Sequence, residues 1–437
     1  MTVNLPSTYP FSDETIQLHV LKRLLVNAMR LLSRARGACR RLFYFFKLYG
    51  QHLPLGIKLI FKMPCSVILL RGTMKGSDDP LALLYVGRYG NYHYLQKNLF
   101  EECDVVEERK TTLLTFRRHM DRMEAASDVA IVDIGWPYHG LMNRSGVYLE
   151  MPDWAGMALE LGETWEDTIR LFRHTTRRQD LRHIRLNEYR CEPTNDRAAI
   201  EKFYDEMYLP FIESRHGLDA VKASRRHVVR RAGKGCLLQI FKGERVVVAG
   251  VVYPEDGALY FLWLGMPSDC IEKPPQAAIS AVYYFGIKHA LDQGLWAVDF
   301  TGTRTFLSDG VFRFKRKWGA LVEDSFSPSS LLVRPKNGHL NAARFCQRFP
   351  MLVRRNGELE GLLLSVDAPL DDKRLSQLNA LYGCNGISRM TVVDLSGHGK
   401  AGCRDVAVGD LEFRLIGAGL DHYADHYAKH AVRDSGL

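Results

Sequence analysis

Ala297-Val298-Asp299-Phe300-Thr301-Gly302 and, six residues further on, Asp309-Gly310-Val311-Phe312-Arg313-Phe314-Lys315-Arg316-Lys317-Trp318-Gly319 carry the reading of this chain. The apolar run Leu295 to Val298 reads as a strand that stops at Asp299, and Thr301-Gly302 reads as a bend. Val311 to Trp318 alternates and reads as a β segment. Arg313, Lys315 and Lys317 then share one face and Phe314, Arg316 and Trp318 the other. Strand ends bordering a cleft are where α/β folds place working groups. Asp299, Lys315, Lys317 and Arg304, just past the bend, are therefore candidates. A plainer account stands beside each. Asp299 can simply form the turn, the lysines can guard a sheet edge, and Arg304 can be a surface arginine.

Working outward, the pattern is that of an α/β protein with mixed sheets. Upstream, Leu237–Phe241, Arg245–Tyr253 and Leu259–Leu264 read as three strands joined by short turns, and Gln276–Gln293 reads as a helix ending at Gly294. Thr164–Leu186 and Arg197–Glu213 read as helices before that meander. Earlier still, Ser66–Leu70, Leu81–Val86 and Asp128–Ile134 read as buried strands, with helices at Tyr92–Phe100 and Leu113–Ala126. Past Pro335, Gly361–Val366, Asp371–Leu381 and Met390–Leu395 predict a small βαβ appendix. The expected organisation is a basic segment over 1–63, a first unit over 64–160, a second over 161–335 and the appendix over 336–437.

Arg178, Arg182 and Arg185 fall at i, i+4 and i+7 on one helical face, and only Asp180 supplies a negative charge between Arg170 and Arg185. Such a run is either a solvated face or a site for an anionic ligand.

The bend and its sequel resemble FemAB-type transferases, which carry a D-F-x-G turn followed by an F-K-x-x-(aromatic)-G segment. Arg177-Arg178-Gln179-Asp180-Leu181-Arg182-His183-Ile184-Arg185 resembles their arginine-rich helix, and Val247-Val248-Ala249-Gly250-Val251-Val252 their central strand. The resemblance runs from about Leu81 to Phe326. It implies tandem GNAT-like domains, the first of them complete or degenerate, and transfer of an acyl or aminoacyl group to an amine. The acceptor would be a phosphate-containing anion on a cell-envelope or polysaccharide precursor. No tightly bound cofactor is implied. The donor would be aminoacyl-tRNA, which makes tRNA a partner, or acyl-CoA or another acyl carrier. That chemistry needs a positive group for the developing oxyanion, an acceptor for the amine proton and fixed cations for phosphate. The resemblance assigns these to Lys315, to Asp299, and to Arg178, Arg182, Arg185, Arg304 and Lys317. The competing class is a GNAT-like, membrane-associated binding protein of a polysaccharide-synthesis complex, without catalysis.

The net charge of +9 is localised: from Ile16 to Gly76 there are twelve Lys and Arg and no Asp or Glu. The remainder is close to neutral, which argues against a surface coated throughout by nucleic acid. Thr15 to Tyr49 predicts a basic amphipathic helix ending in Phe43-Tyr44-Phe45-Phe46, suited to an anionic membrane surface. Neither a signal peptide nor a spanning helix is expected. Leu42 to Leu70 is cut by Lys47, Lys58, Lys62, Pro54 and Pro64, where a span needs about 20 apolar residues. Nine scattered cysteines without a C-x-x-C pair fit a reducing cytoplasm. The expected place is therefore cytoplasmic, peripheral at the inner face of the membrane.

Three further signals are set aside. Arg230-Arg231-Ala232-Gly233-Lys234-Gly235 fits R-x-x-G-x-G, but it precedes a strand instead of opening a helix, so it lacks the cradle a pyrophosphate needs. His422, His426 and His430 share a helical face that could hold zinc or nickel, although structural sites usually draw ligands from several segments. Gly397-His398-Gly399-Lys400 lacks P-loop spacing.

Overall fold

The computed structural model describes residues 63–88, 90–134, 142, 147–217, 222–324, 329–355, 357–367, 370–396 and 402–418. The expected membrane-surface helix, the terminal histidines and the 397–400 segment lie outside them.

The chain is α/β, with three sheets that each mix parallel and antiparallel neighbours. The first sheet begins with β1 (Pro64–Met74), whose residues Cys65 to Leu70 are buried on both faces, and β2 (Pro80–Gly87). The helix Tyr92–Leu99 leads into β3 (Phe100–Thr112), a charged edge strand. After the helix Phe116–Glu124 come β4 (Val129–Asp133) and β5 (Leu149–Pro152). β2 and β4 are parallel, so both end at the same side of the sheet, at Gly87 and Asp133.

The second sheet holds β6 (Ala155–Glu160), β7 (Arg190–Thr194), β8 (Cys236–Lys242), β9 (Arg245–Glu255), β10 (Ala258–Gly265), β11 (Ala297–Thr303) and β12 (Leu321–Glu323), in the order β12-β6-β11-β10-β9-β8-β7. The expected meander is thus present at the expected place. The helix Ala278–Asp292 crosses from β10 to β11 and makes these two strands parallel.

Three expectations are corrected. Residues 310–316 form a helix, not a strand. Asp309 Oδ1 accepts from the backbone N–H groups of Val311 and Phe312, at 2.8 and 3.1 Å, and so caps it. Phe312, Lys315 and Arg316 are buried together at i, i+3 and i+4, so the period is helical and no cationic strand face exists. The helix expected over 164–186 is interrupted. It runs from Trp165 to Leu171, breaks at the extended backbone of Phe172, and resumes as a widened turn over Thr176–Asp180 and a helix over Leu181–Leu186. The break turns the Phe172 ring onto Trp318, 5.2 Å away between centroids. β13 (Ser330–Pro335) pairs with β4 and β5, so residues expected to end the second unit complete the first sheet.

The third sheet contains β14 (Met351–Arg355), β15 (Glu358–Ser365), β16 (Arg389–Asp394), β17 (Gly402–Val408) and β18 (Leu411–Gly417). β15, the helix Asp372–Tyr382 and the parallel β16 form the expected βαβ unit. One face of this sheet (Leu362, Leu364, Val393, Ile416) joins the core of the first sheet. The other face (Leu359, Leu363, Val392, Phe413) joins the core of the second.

Candidate active site

β10 and β11 pair over only three residues, Ala258–Tyr260 with Ala297–Asp299, and then part. An aromatic wedge fills the split. Tyr283, from the crossing helix, lies 5.0 Å from both Phe261 of β10 and Phe300 of β11, and 4.9 Å from Phe314.

At that point β11 bulges between Asp299 and Gly302 relative to β6. Asp299 Oδ1 accepts from Thr301 N at 2.6 Å, and Thr301 sits at φ 63°. A β-branched residue in the left-handed region costs on the order of 1–3 kcal/mol and persists only where its surroundings hold it. Lys315 holds it. Its ammonium donates to Gly302 O at 2.7 Å and Thr301 O at 3.3 Å from beneath the bulge. Lys315 is 4% exposed. Burial pulls its pKa down to about 8, against the opposing pull of Asp299 and Asp309. The structure therefore brings Lys315 and Asp299 together, as the motif implies, but through a helix below the bend.

Lys317 points the other way. Its Nζ meets Asp180 Oδ1 at 2.8 Å and Ser280 Oγ at 3.3 Å, while Ser280 Oγ donates to Asp180 at 2.6 Å. Thr176 Oγ1 donates to Lys317 O at 2.9 Å. This knot fastens the arginine-rich segment to the helix under the bend, and it engages Lys317 with protein partners.

Arg304 is also engaged. Its guanidinium lies between the rings of Tyr94 and Trp154, 4.3 and 4.0 Å from their centroids, and donates to Asp153 and Asn91. Asn91 Nδ2 and Tyr85 OH both donate to Asp133 Oδ2, at 3.0 and 2.8 Å. Burial raises the Asp153 pKa to about 6 in spite of Arg304. Tyr94 OH reaches Asp309 Oδ2 at 3.1 Å. One line of polar groups thus runs from the strand end at Asp133, through Arg304 and Tyr94, to Asp309 and Lys315.

Arg178, Arg182 and Arg185 lie apart from this line. They are exposed and make no ion pair among the described residues. The widened turn at Thr176–Asp180 adds a residue to the helical repeat, so Arg178 does not keep simple register with the other two. Thr176 and Asp180 carry the segment's contacts to the site, both through Lys317.

The sequence reading missed Tyr94, Asn91, Asp153 and the double role of Asp309. Asp309-Gly310 ahead of an apolar-basic run is a helix-start signal, and reading it as such would have exposed the cap. Nothing in the sequence joins Asn91 to Arg304 across two sheets.

No protein-family model matches this chain, and no curated protein matches it in sequence. Among solved structures, similarity is found to one described as the C-terminal domain of a putative lysylphosphatidylglycerol synthetase from Agrobacterium fabrum. Identity is 10%, coverage is 63% of this chain and 86% of that one, and the TM-score is 0.29. A structure of FemX is 11% identical over 61% of this chain and 83% of that one, with a TM-score of 0.32. A GCN5-related N-acetyltransferase from Sphaerobacter thermophilus is 10% identical over 58% and 71%, with a TM-score of 0.29.

Proposed function

We propose that this chain transfers an acyl or aminoacyl group to an amine on an anionic, phosphate-containing acceptor of the cell envelope or of polysaccharide synthesis. One observation carries the reading. A buried lysine with a pKa of about 8 sits beneath a strained bulge, beside two carboxylates, where two parallel strands separate. Strongly perturbed titratable groups cluster at functional sites.

Two of the three Lys315 protons go to the bulge carbonyls, and the third is the donor for the developing oxyanion. Asp299 or Asp309 orients the attacking amine and takes its proton. Aminoacyl-tRNA, acyl-CoA or another acyl carrier is the donor: as the new C–N bond forms the ester or thioester bond breaks, and the proton taken from the amine passes to the departing tRNA hydroxyl or carrier thiol. Arg178, Arg182 and Arg185, which make no ion pair among the described residues, meet the phosphates of a polyanionic donor from the solvent side. The basic 15–49 segment places the enzyme at the inner face of the membrane, where each basic residue contributes about 1 kcal/mol near anionic lipid.

The test begins with mass spectrometry of small molecules, lipids and RNA that copurify with the full chain. Labelled donors of the classes recovered are then incubated with an envelope extract. Wild type transfers label to an amine, Lys315→Met does not, and Lys315→Arg retains part of the rate. Equal transfer by wild type and Lys315→Met, with both folded, refutes the assignment. A binding role without catalysis predicts instead that only removal of residues 15–50 affects the cell.

A further inference from the structure

A cavity of about 690 Å³ opens beside the Tyr94–Asp309 hydrogen bond. Its other walls come from the helix Leu340–Arg348 and from the helix Asp372–Tyr382 of the third sheet, which supplies Arg374 and Tyr382. The volume lies within the roughly 300–1,000 Å³ of small-molecule sites.

The charges around it are nearly all committed. Arg344 pairs with Asp79. Arg348 donates to the carbonyls of Lys75 and Gly76, and Lys75 Nζ to Lys97 O at 2.8 Å. Asp367 accepts from Gln347 at 2.7 Å, and Asp309 from Tyr94 and its own helix. Arg374 is the exception. Among the described residues it pairs with no carboxylate, and its side chain makes a single 3.4 Å contact, to Gln377. A guanidinium that lines a cavity without a carboxylate partner presents paired donors that match a carboxylate or phosphate edge. Around it stand hydroxyl, amide and carboxylate groups from Ser308, Asn98 and Asp367, with the rings of Tyr94 and Tyr382. These suit a ligand whose ring carries several hydroxyls and offers a C–H face to an aromatic side chain.

The geometry points to a binding site for a hydroxylated anion, a sugar phosphate or sugar acid, with Arg374 of the third sheet's helix as its anion clamp. The βαβ unit then serves to recognise the acceptor. That last clause rests on the transfer reading, while the binding itself does not.

The test is calorimetric titration of the full chain with glucose 6-phosphate, glucuronate, glucose and inorganic phosphate. One or both sugar anions bind at least tenfold more tightly than glucose or inorganic phosphate, and the phosphate and carboxylate arms show which head group is used. Arg374→Gln weakens that binding tenfold or more. Ser308→Trp, which fills the cavity and leaves every charge in place, does the same, and the exposed neighbour change Lys373→Gln leaves it intact. The site is refuted if neither sugar anion outcompetes glucose, or if Arg374→Gln and Ser308→Trp both bind like wild type while melting normally. Lost binding with Lys315-dependent transfer retained removes this site alone. Retained binding without transfer removes only the catalytic reading.

Discussion

Lys317 Nζ lies 2.8 Å from Asp180 Oδ1, and this pair is the charged link between the arginine-rich segment and the helix beneath the bulge, beside the hydrogen bond from Thr176 to Lys317 O. The two side chains are 23% and 17% exposed, so little water is present to replace either partner. Lys317→Met leaves Asp180 mostly buried with only Ser280 beside it, and is expected to cost about 2–3 kcal/mol in chemical denaturation. Adding Asp180→Asn should recover at least about 1 kcal/mol of that, as expected of directly coupled groups. Strict additivity of the two changes would mean the pair does not fasten the segment.

Lys315 should show itself in pH dependence. Its folded pKa is about 8, below its ordinary value of 10.5. The folded protein therefore binds fewer protons than the unfolded chain between those values, so this group makes stability rise with pH across that window. Below pH 8 the full penalty of a buried charge applies, roughly 3 kcal/mol from the size of the shift. Lys315→Met should flatten the slope between pH 8 and 10.5. Transfer needs the ammonium, so the rate should fall above pH 8, and Lys315→Arg should move that limb upward. An unchanged alkaline limb in Lys315→Arg would separate the rate from this residue.

Thr301 is held at a backbone angle that suits glycine. Thr301→Gly should raise stability by about 1 kcal/mol, seen as a higher melting temperature, because the strain is released. If the bulge is kept for function, label transfer should fall in the same variant. A change that raises both, or neither, argues for a merely structural bend.

Asp153 depends on Arg304. Its folded pKa, near 6, exceeds the ordinary 3.8, so the native state takes up more protons between these values and stability from this group falls as pH rises through them. Arg304→Gln removes the compensating charge. The loss it causes should therefore be larger at pH 8 than at pH 5, by about 1 kcal/mol or more in paired denaturation curves.

The sequence made some parts of this molecule legible and hid others for physical reasons. The meander β8 to β10 and the crossing helix were readable because their apolar runs are interrupted by turn residues at Lys242-Gly243 and Pro254 to Gly257. β3 was not. As an edge strand facing water it carries Glu101, Glu102, Asp104, Glu107 and Glu108, and no apolar alternation survives. The 310–316 helix was misread because a short basic stretch fits two periods at once, and only the Asp309 cap decides between them. The proximity of Asp299 and Lys315 was readable from the motif. The bulge and the left-handed Thr301 were not, since a bend reading does not show the Lys315 contact beneath it, and the Asn91–Arg304–Asp153 contacts were not, since they join segments more than 150 positions apart.

β13 sets a constraint on how the polypeptide is made. The first sheet stays open until residues 330–335 have left the ribosome, because they insert between β4 and β5. A nascent or truncated product ending near residue 160 carries β4 with a bare apolar flank, Val129 to Val132, and nothing to pair with it. Such a piece should be a chaperone client or go into inclusion bodies, and any attempt to produce the first half by itself must graft the 330–335 strand onto it.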